Sequence, residues 1–307
     1  MPVLDLATDA MIAAIRVGTP LLFATLGEIY AERSGVLNLG VEGMMLTGAL
    51  AGFVTTLWTG SPVLGLLAGA GAGGLMALIH AFLSISLRAN QIVSGLALTM
   101  FGIGLTGVLG RRFVGIQLAR RFYPIIIPGL SEIPVIGPLF SSNAMVYLSL
   151  ALAVLLWFVL FKTKLGIEIR AVGENPAAAD ALGVNVYLIR YLCVTIGGVL
   201  AGIGGAFLPL GKPLSWTENM TAGLGWIAIA ITIFAMWRPG RAIFGSYLFG
   251  AMLWLAYRLQ PYFASNILNM APYVLTIIVL LLGTREILRK RIGAPSALSI
   301  PYRRGER

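Results

Sequence analysis

The chain has 307 residues, 58% of them hydrophobic and 11% charged, with 22 Lys and Arg against 12 Asp and Glu. A mean hydropathy of +0.89 excludes a soluble globular domain, in which about 25% of residues are charged. The single cysteine, Cys193, excludes an intrachain disulfide framework, and the net charge of +10 lies in short loops and the C-terminus, where it reads as a topology signal rather than a nucleic-acid footprint.

A bilayer core takes about 20 residues of helix per crossing. Windows of that length predict an all-α, polytopic bundle of nine transmembrane helices, within a range of 8 to 10, near residues 11–31, 36–58, 62–87, 91–109, 143–161, 191–210, 223–237, 242–258 and 269–283. No hydrophilic stretch suggests a second unit, so 1–307 reads as one domain. The first ten residues carry Asp5 and Asp9 and no Lys or Arg, unlike the basic start of a signal peptide.

In the first span, Arg16 is close enough to an interface to snorkel. Glu28 and Glu32 lie four apart near its inner end, with Arg33 placed to neutralise one of them. Glu42, beside Asn38 and Gly40, falls where the composition suggests a helix break; it reads either as a structural clamp or as a pathway-lining group. Gly48-x-x-x-Gly52, Gly69-x-x-x-Gly73 and Gly198-x-x-x-Gly202 predict close helix contacts. His80, the only histidine, reads as a hydrogen-bonded packing residue. Ser84, Ser86, Asn90, Gln91, Ser94 and Thr99 interrupt apolar spans and, with Trp226 and Phe234, are candidates for meeting a polar solute.

The loop 110–142 carries Arg111, Arg112, Arg120 and Arg121 among Phe113, Val114, Ile116, Leu118 and Phe122. It predicts an amphipathic segment in the outer interface, or a docking surface for acidic groups. The loop 162–190 contains a two-turn helix over 176–182, with Asn175 as N-cap, Pro176 at the first helical position and Gly183 as the left-handed stop. Lys and Arg counts divide fifteen to six when that loop and the basic tail 284–307 share one side. That side reads as the cytoplasm, with the N-terminus outside.

The segment Gly173-Glu174-Asn175-Pro176-Ala177-Ala178 with Gly183, Arg190 and Gly197–Gly202 resembles the cytoplasmic coupling segment of permease subunits of ABC importers. The run Glu32–Leu46, with Asn90–Gly95 and Trp237-Arg238-Pro239, is similar to the nucleoside and simple-sugar branch of the ribose and branched-chain amino acid permease group. Thr99 and the Phe234-Ala-Met-Trp237 run depart from that branch. The resemblance implies a pore subunit in the bacterial inner membrane, with a second permease subunit, a separate ATPase that uses ATP and Mg, and an extracytoplasmic binding protein. It implies no cofactor, metal or nucleic acid for this chain, and the sequence has no Gly-x-x-x-x-Gly-Lys-Ser/Thr; the nearest run, Ala206–Pro213, lacks the first Gly and the hydroxyl. Glu174, Asn175, Pro176, Ala178, Ala179 and Gly183 would meet the ATPase. Asn38, Glu42, Asn90, Gln91, Ser94, Thr99 and Trp226 would mark the pathway. The rival reading is an ion-coupled secondary transporter in which Glu28, Glu42 and His80 carry protons.

Overall fold

The computed structural model describes residues 2–211, 213–263, 268, 270–283 and 293–305. Helices run in the order α1 Pro2–Arg33, α2 Val41–Thr59, α3 Pro62–Ala81, α4 Gln91–Gly110, α5 Ala144–Lys162, α6 Lys164–Glu174, α7 Pro176–Ala181, α8 Val186–Gly211, α9 Leu224–Phe234, α10 Pro239–Arg258 and α11 Ala271–Gly283. Each of the nine expected spans is represented by a helix, and among the described residues six of these are long and apolar enough to cross a membrane. The seventh expected span, 223–237, is shortened: α9 has 11 residues, which cover about 16 Å, half a bilayer core. Lys212, residue 269 and the basic run 284–292 lie outside the described residues.

The first membrane helix carries polar groups into the interior of the bundle. From Gly18 to Glu32 every residue of α1 is buried, and the helix packs chiefly against α8, α10, α9 and α5. Thr19, Thr25, Glu28 and Glu32 lie on this stretch, and hydrocarbon offers such groups no partner. The outward faces of α3, α4 and α5 are apolar instead, with Leu67, Leu75, Met100, Val108, Val154 and Leu155 exposed.

The glycine pairs do form a packing seam. A side chain on Gly48 would place its Cβ 2.5 Å from the Gly202 carbonyl oxygen, and one on Gly73 would come 2.2 Å from that of Gly198. Helices α2, α3 and α8 therefore touch backbone to backbone, the contact that lipid, lacking a hydrophobic drive of its own, leaves to small residues.

The chain gathers its short loops at two ends. At one end, the end that holds α7, lie residues 33–40, α6, α7, the 236–238 turn and the segment 293–305. At the far end, the loop 110–142 forms short 3-10 turns at Arg111–Phe113 and Gly137–Ser141 and pairs with residues 214–216. The expected amphipathic segment is thus corrected in part: Phe113 and Leu118 are buried with Trp216 against α2 and α8, so these apolar residues serve the protein's own packing while the four arginines stay exposed.

Candidate functional site

Between α1 and α2 the helix stops for residues 34–40, and this buried stretch is held by side chains instead of a ladder. Leu37 N–H donates to Gln91 Oε1 at 2.8 Å, and Thr99 Oγ1 donates to the Leu39 carbonyl at 3.0 Å. His80 Nε2 lies 3.0 Å from the Leu37 carbonyl, and Nδ1 lies 3.0 Å from Ser94 Oγ. A carbonyl can only accept, so Nε2 carries the proton and the Ser94 hydroxyl donates to Nδ1. Asn38 accepts from Gly40 N–H through its own Oδ1 at 3.1 Å, and its backbone N–H donates to Glu28 Oε1 at 3.3 Å. Three helices thus replace the hydrogen bonds that the break forfeits.

Two carboxylates tie this break to α9. Glu42, 3% exposed, accepts from Thr221 Oγ1 at 2.6 Å, Gly223 N–H at 2.9 Å and Gly225 N–H at 2.6 Å. It caps the N-terminus of α9, whose own N-cap position, Gly223, offers no side chain. Glu32 accepts from Trp237 Nε1, while Arg33 donates to the Met236 and Trp237 carbonyls. These contacts hold the α9–α10 turn, where Met236 and Trp237 both have positive φ. Arg33 therefore bonds carbonyls, and the expectation that it neutralises Glu28 or Glu32 is corrected. Glu28 Oε2 has no partner among the described residues.

The two-turn helix stands as its caps demanded. Asn175 Oδ1 accepts from Ala178 N–H at 3.0 Å, Pro176 opens α7, and Gly183 has φ +87°. Ala177, Ala178, Ala181, Leu182 and Gly183 are exposed, and Leu182 is 85% exposed. Ala179 is 2% exposed and packs into the chain's own core, so it cannot offer itself to a partner as the sequence suggested. Beside α7 lies the C-terminal segment: Ser296 Oγ donates to Glu174 at 2.8 Å, Ala297 N–H donates to the Gly173 carbonyl at 2.9 Å, and Arg304 pairs with Asp180 at 3.0 Å. Sequence reading missed these contacts. The signal available was the run Pro295–Tyr302, which interrupts the basic tail with apolar residues.

Of the pathway candidates, Asn38, Glu42, Gln91, Ser94 and Thr99 are buried and bonded to their own chain. Asn90 is exposed and caps α4, accepting from the Ile92 and Val93 N–H groups. Ser84 and Ser86 are likewise engaged, with His80 O and Tyr191 OH. Trp226 remains half-buried in the first turn of α9. A Cβ on Gly223 would lie 3.0 Å from the Tyr273 hydroxyl and 3.9 Å from Trp226 Cδ1, so two accessible aromatics flank the start of this half-length helix. At the far end a cavity of about 390 Å3 is lined by Arg16, Arg121, Phe122, Asn143 and Phe207.

Comparison with known proteins gives the family. Residues 10–282 match the family described as branched-chain amino acid transport system / permease component. The chain is 38% identical to the guanosine ABC transporter permease protein NupQ of Bacillus subtilis over 100% of both chains. It is 39% identical to the nucleoside ABC transporter permease protein NupC of Lactococcus lactis, over 92% of this chain and 93% of that one. It is also 41% identical, over 98% of this chain and 99% of the other, to TsgC13 of Haloferax volcanii, an ABC transporter permease provisionally named for glucose. No solved structure matches the chain.

Proposed function

The chain belongs to the branched-chain amino acid transport system / permease component family, and on that premise we propose that it forms the pathway of an ATP-driven importer for a nucleoside or a simple sugar. Its multi-pass character and its likeness to ABC permeases of near-equal length support the class. The observation that carries the mechanism is α7: a capped two-turn helix whose alanine and leucine face is uncovered at the end where the basic loops converge. So short a helix is unstable alone. Its caps and the buried Ala179 hold it in place, leaving Ala177, Ala178, Ala181 and Leu182 free to seat in an ATPase subunit.

In this reading the end that holds α7 is the coupling end, and it and the C-terminus are cytoplasmic, in a bacterial-type inner membrane. ATP and Mg belong to the ATPase, a second permease subunit completes the pore, and a binding protein delivers solute at the far end. The permease chain itself performs no chemistry. Trp226 and Tyr273 suit the ring face of a nucleoside, and a site loaded from outside by a binding protein needs only weak contacts of this kind. Glu42 and His80 are engaged with backbone groups and with the Thr221 and Ser94 hydroxyls, which weighs against their serving as proton carriers of an ion-coupled transporter.

The test is uptake in proteoliposomes holding the permease, its ATPase and its binding protein. Uptake of a labelled nucleoside or hexose should require ATP and persist when a protonophore collapses the proton gradient. Abrupt loss of uptake on adding protonophore, with ATP maintained, would overturn the importer.

A further inference from the structure

Arg190 occupies the first turns of α8 and is 1% exposed, yet among the described residues it has no carboxylate partner. Its Nε donates to the Ser34 carbonyl at 3.2 Å and its Nη1 to the Ile300 carbonyl at 3.2 Å, while Nη2 has no partner. A Cβ on Gly35 would meet Nη2 at 3.0 Å and the Ala297 carbonyl oxygen at 3.1 Å, so Arg190, the α1–α2 break and the C-terminal segment are in direct contact. The same segment reaches α7 through the Arg304–Asp180 pair, reaches the end of α6 through Gly173 and Glu174, and sets Tyr302 against Tyr187 of α8, the rings tilted by 52° with centroids 5.8 Å apart.

We propose that Arg190 is a positioning residue that joins the coupling helix to the α1–α2 break by way of the C-terminal segment. Stability alone does not account for it. A buried guanidinium without a carboxylate is a poor stabiliser, and a well-packed apolar side chain in its place would commonly serve as well or better. What an apolar residue cannot do is hold two separate backbone segments at a fixed spacing, which the planar fork of an arginine does. One prong holds the break and the other holds the segment that grips α7. The break is the element able to respond, because its backbone is secured by side chains from α1, α3 and α4 rather than by a continuous ladder. A displacement of α7 by a partner then reaches residues 34–40 without passing along any helix axis.

This inference rests on α7 receiving an ATPase, and the two fail differently. In the full reconstituted complex, solute moved per ATP is measured for the unaltered protein, Arg190→Gln, Arg190→Lys, Tyr302→Ala and the Arg190→Gln/Tyr302→Ala double variant. Co-purification of the ATPase and basal ATP hydrolysis report assembly. Arg190→Gln and Tyr302→Ala should each keep the ATPase and basal hydrolysis and lower solute per ATP by about tenfold. Arg190→Lys, which reaches one carbonyl at a time, should fall between. The double variant should lose little more than either single one, because both cut the same link. An unchanged ratio in Arg190→Gln, or losses that multiply in the double variant, would overturn the proposal. Should Arg190→Gln fail to assemble, an unchanged ratio in Tyr302→Ala overturns it equally. If the unaltered chain retains no ATPase, the importer reading itself falls.

Discussion

Glu42 shows how an acidic residue inside a membrane protein can be structural without an ion-pair partner. Its carboxylate takes donors from one hydroxyl and two backbone N–H groups at the start of α9, each charged hydrogen bond contributing roughly 1.5–3 kcal/mol. Glu42→Gln keeps one acceptor oxygen and turns an amide against the remaining N–H groups. We expect it to lower the thermal unfolding midpoint of the purified protein clearly and to abolish uptake, with Glu42→Ala worse. Glu28→Gln should behave otherwise: Oε1 can still accept from Asn38 N–H, and Oε2 has no hydrogen-bond partner to lose among the described residues. It should assemble and retain uptake, measured alongside. That Glu42 sits at a helix break was legible from Asn38 and Gly40; what it caps was not, since Thr221–Gly225 lies about 180 residues away and carries no motif that names its partner. The neutral candidates Gln91, Ser94 and Thr99 were legible as misfits in apolar spans. A hydrogen-bonding group looks the same in a sequence whether it serves a solute or a backbone carbonyl.

At the scale of elements, α7 was readable in full at both ends and unreadable in its facing. Cap residues act locally, so Asn175, Pro176 and Gly183 announce themselves. A six-residue helix with four alanines has no apolar periodicity to say which side is inward. The expected contrast is therefore between neighbours: Ala178→Trp should leave the protein monodisperse and insertable but block ATPase binding, whereas Ala179→Trp should fail to fold because its site is filled. Size-exclusion profiles and ATPase pull-down separate the two outcomes. The glycine seam makes a similar forecast. A side chain on Gly202 would bring its Cβ 2.2 Å from the Gly69 carbonyl, so Gly202→Leu should lose the folded protein, as read by yield of monodisperse material, while the same change at Gly104, with no atom within 4 Å, should not.

For the molecule as a whole, basic residues divide between two ends with different neighbours. At the coupling end Arg33 and Arg190 are bonded inward to carbonyls. At the far end Arg111, Arg112, Arg120 and Arg121 point outward from a loop whose apolar residues are partly packed beneath them. Exposed arginines on a rim speed encounter with an acidic partner. Arg120→Glu with Arg121→Glu should weaken capture of the loaded binding protein at low salt and flatten its salt dependence, with basal ATP hydrolysis spared; equal affinity at low and high salt would leave the arginines to lipid headgroups. The central placement of α1 also has a bearing on how the protein is made. Thr19, Thr25, Glu28 and Glu32 leave the ribosome early, yet α8, α9 and α10, which cover them, follow about 150 to 220 residues later. At about 5–20 residues per second, α1 waits on the order of ten to forty seconds with two acids and the Thr25 hydroxyl unsheltered, Thr19 already being bonded to the Ile15 carbonyl of its own helix. During synthesis this helix must therefore be kept from lipid by the insertion machinery or remain shallow in the bilayer, and its final position is reached only after α10 has arrived.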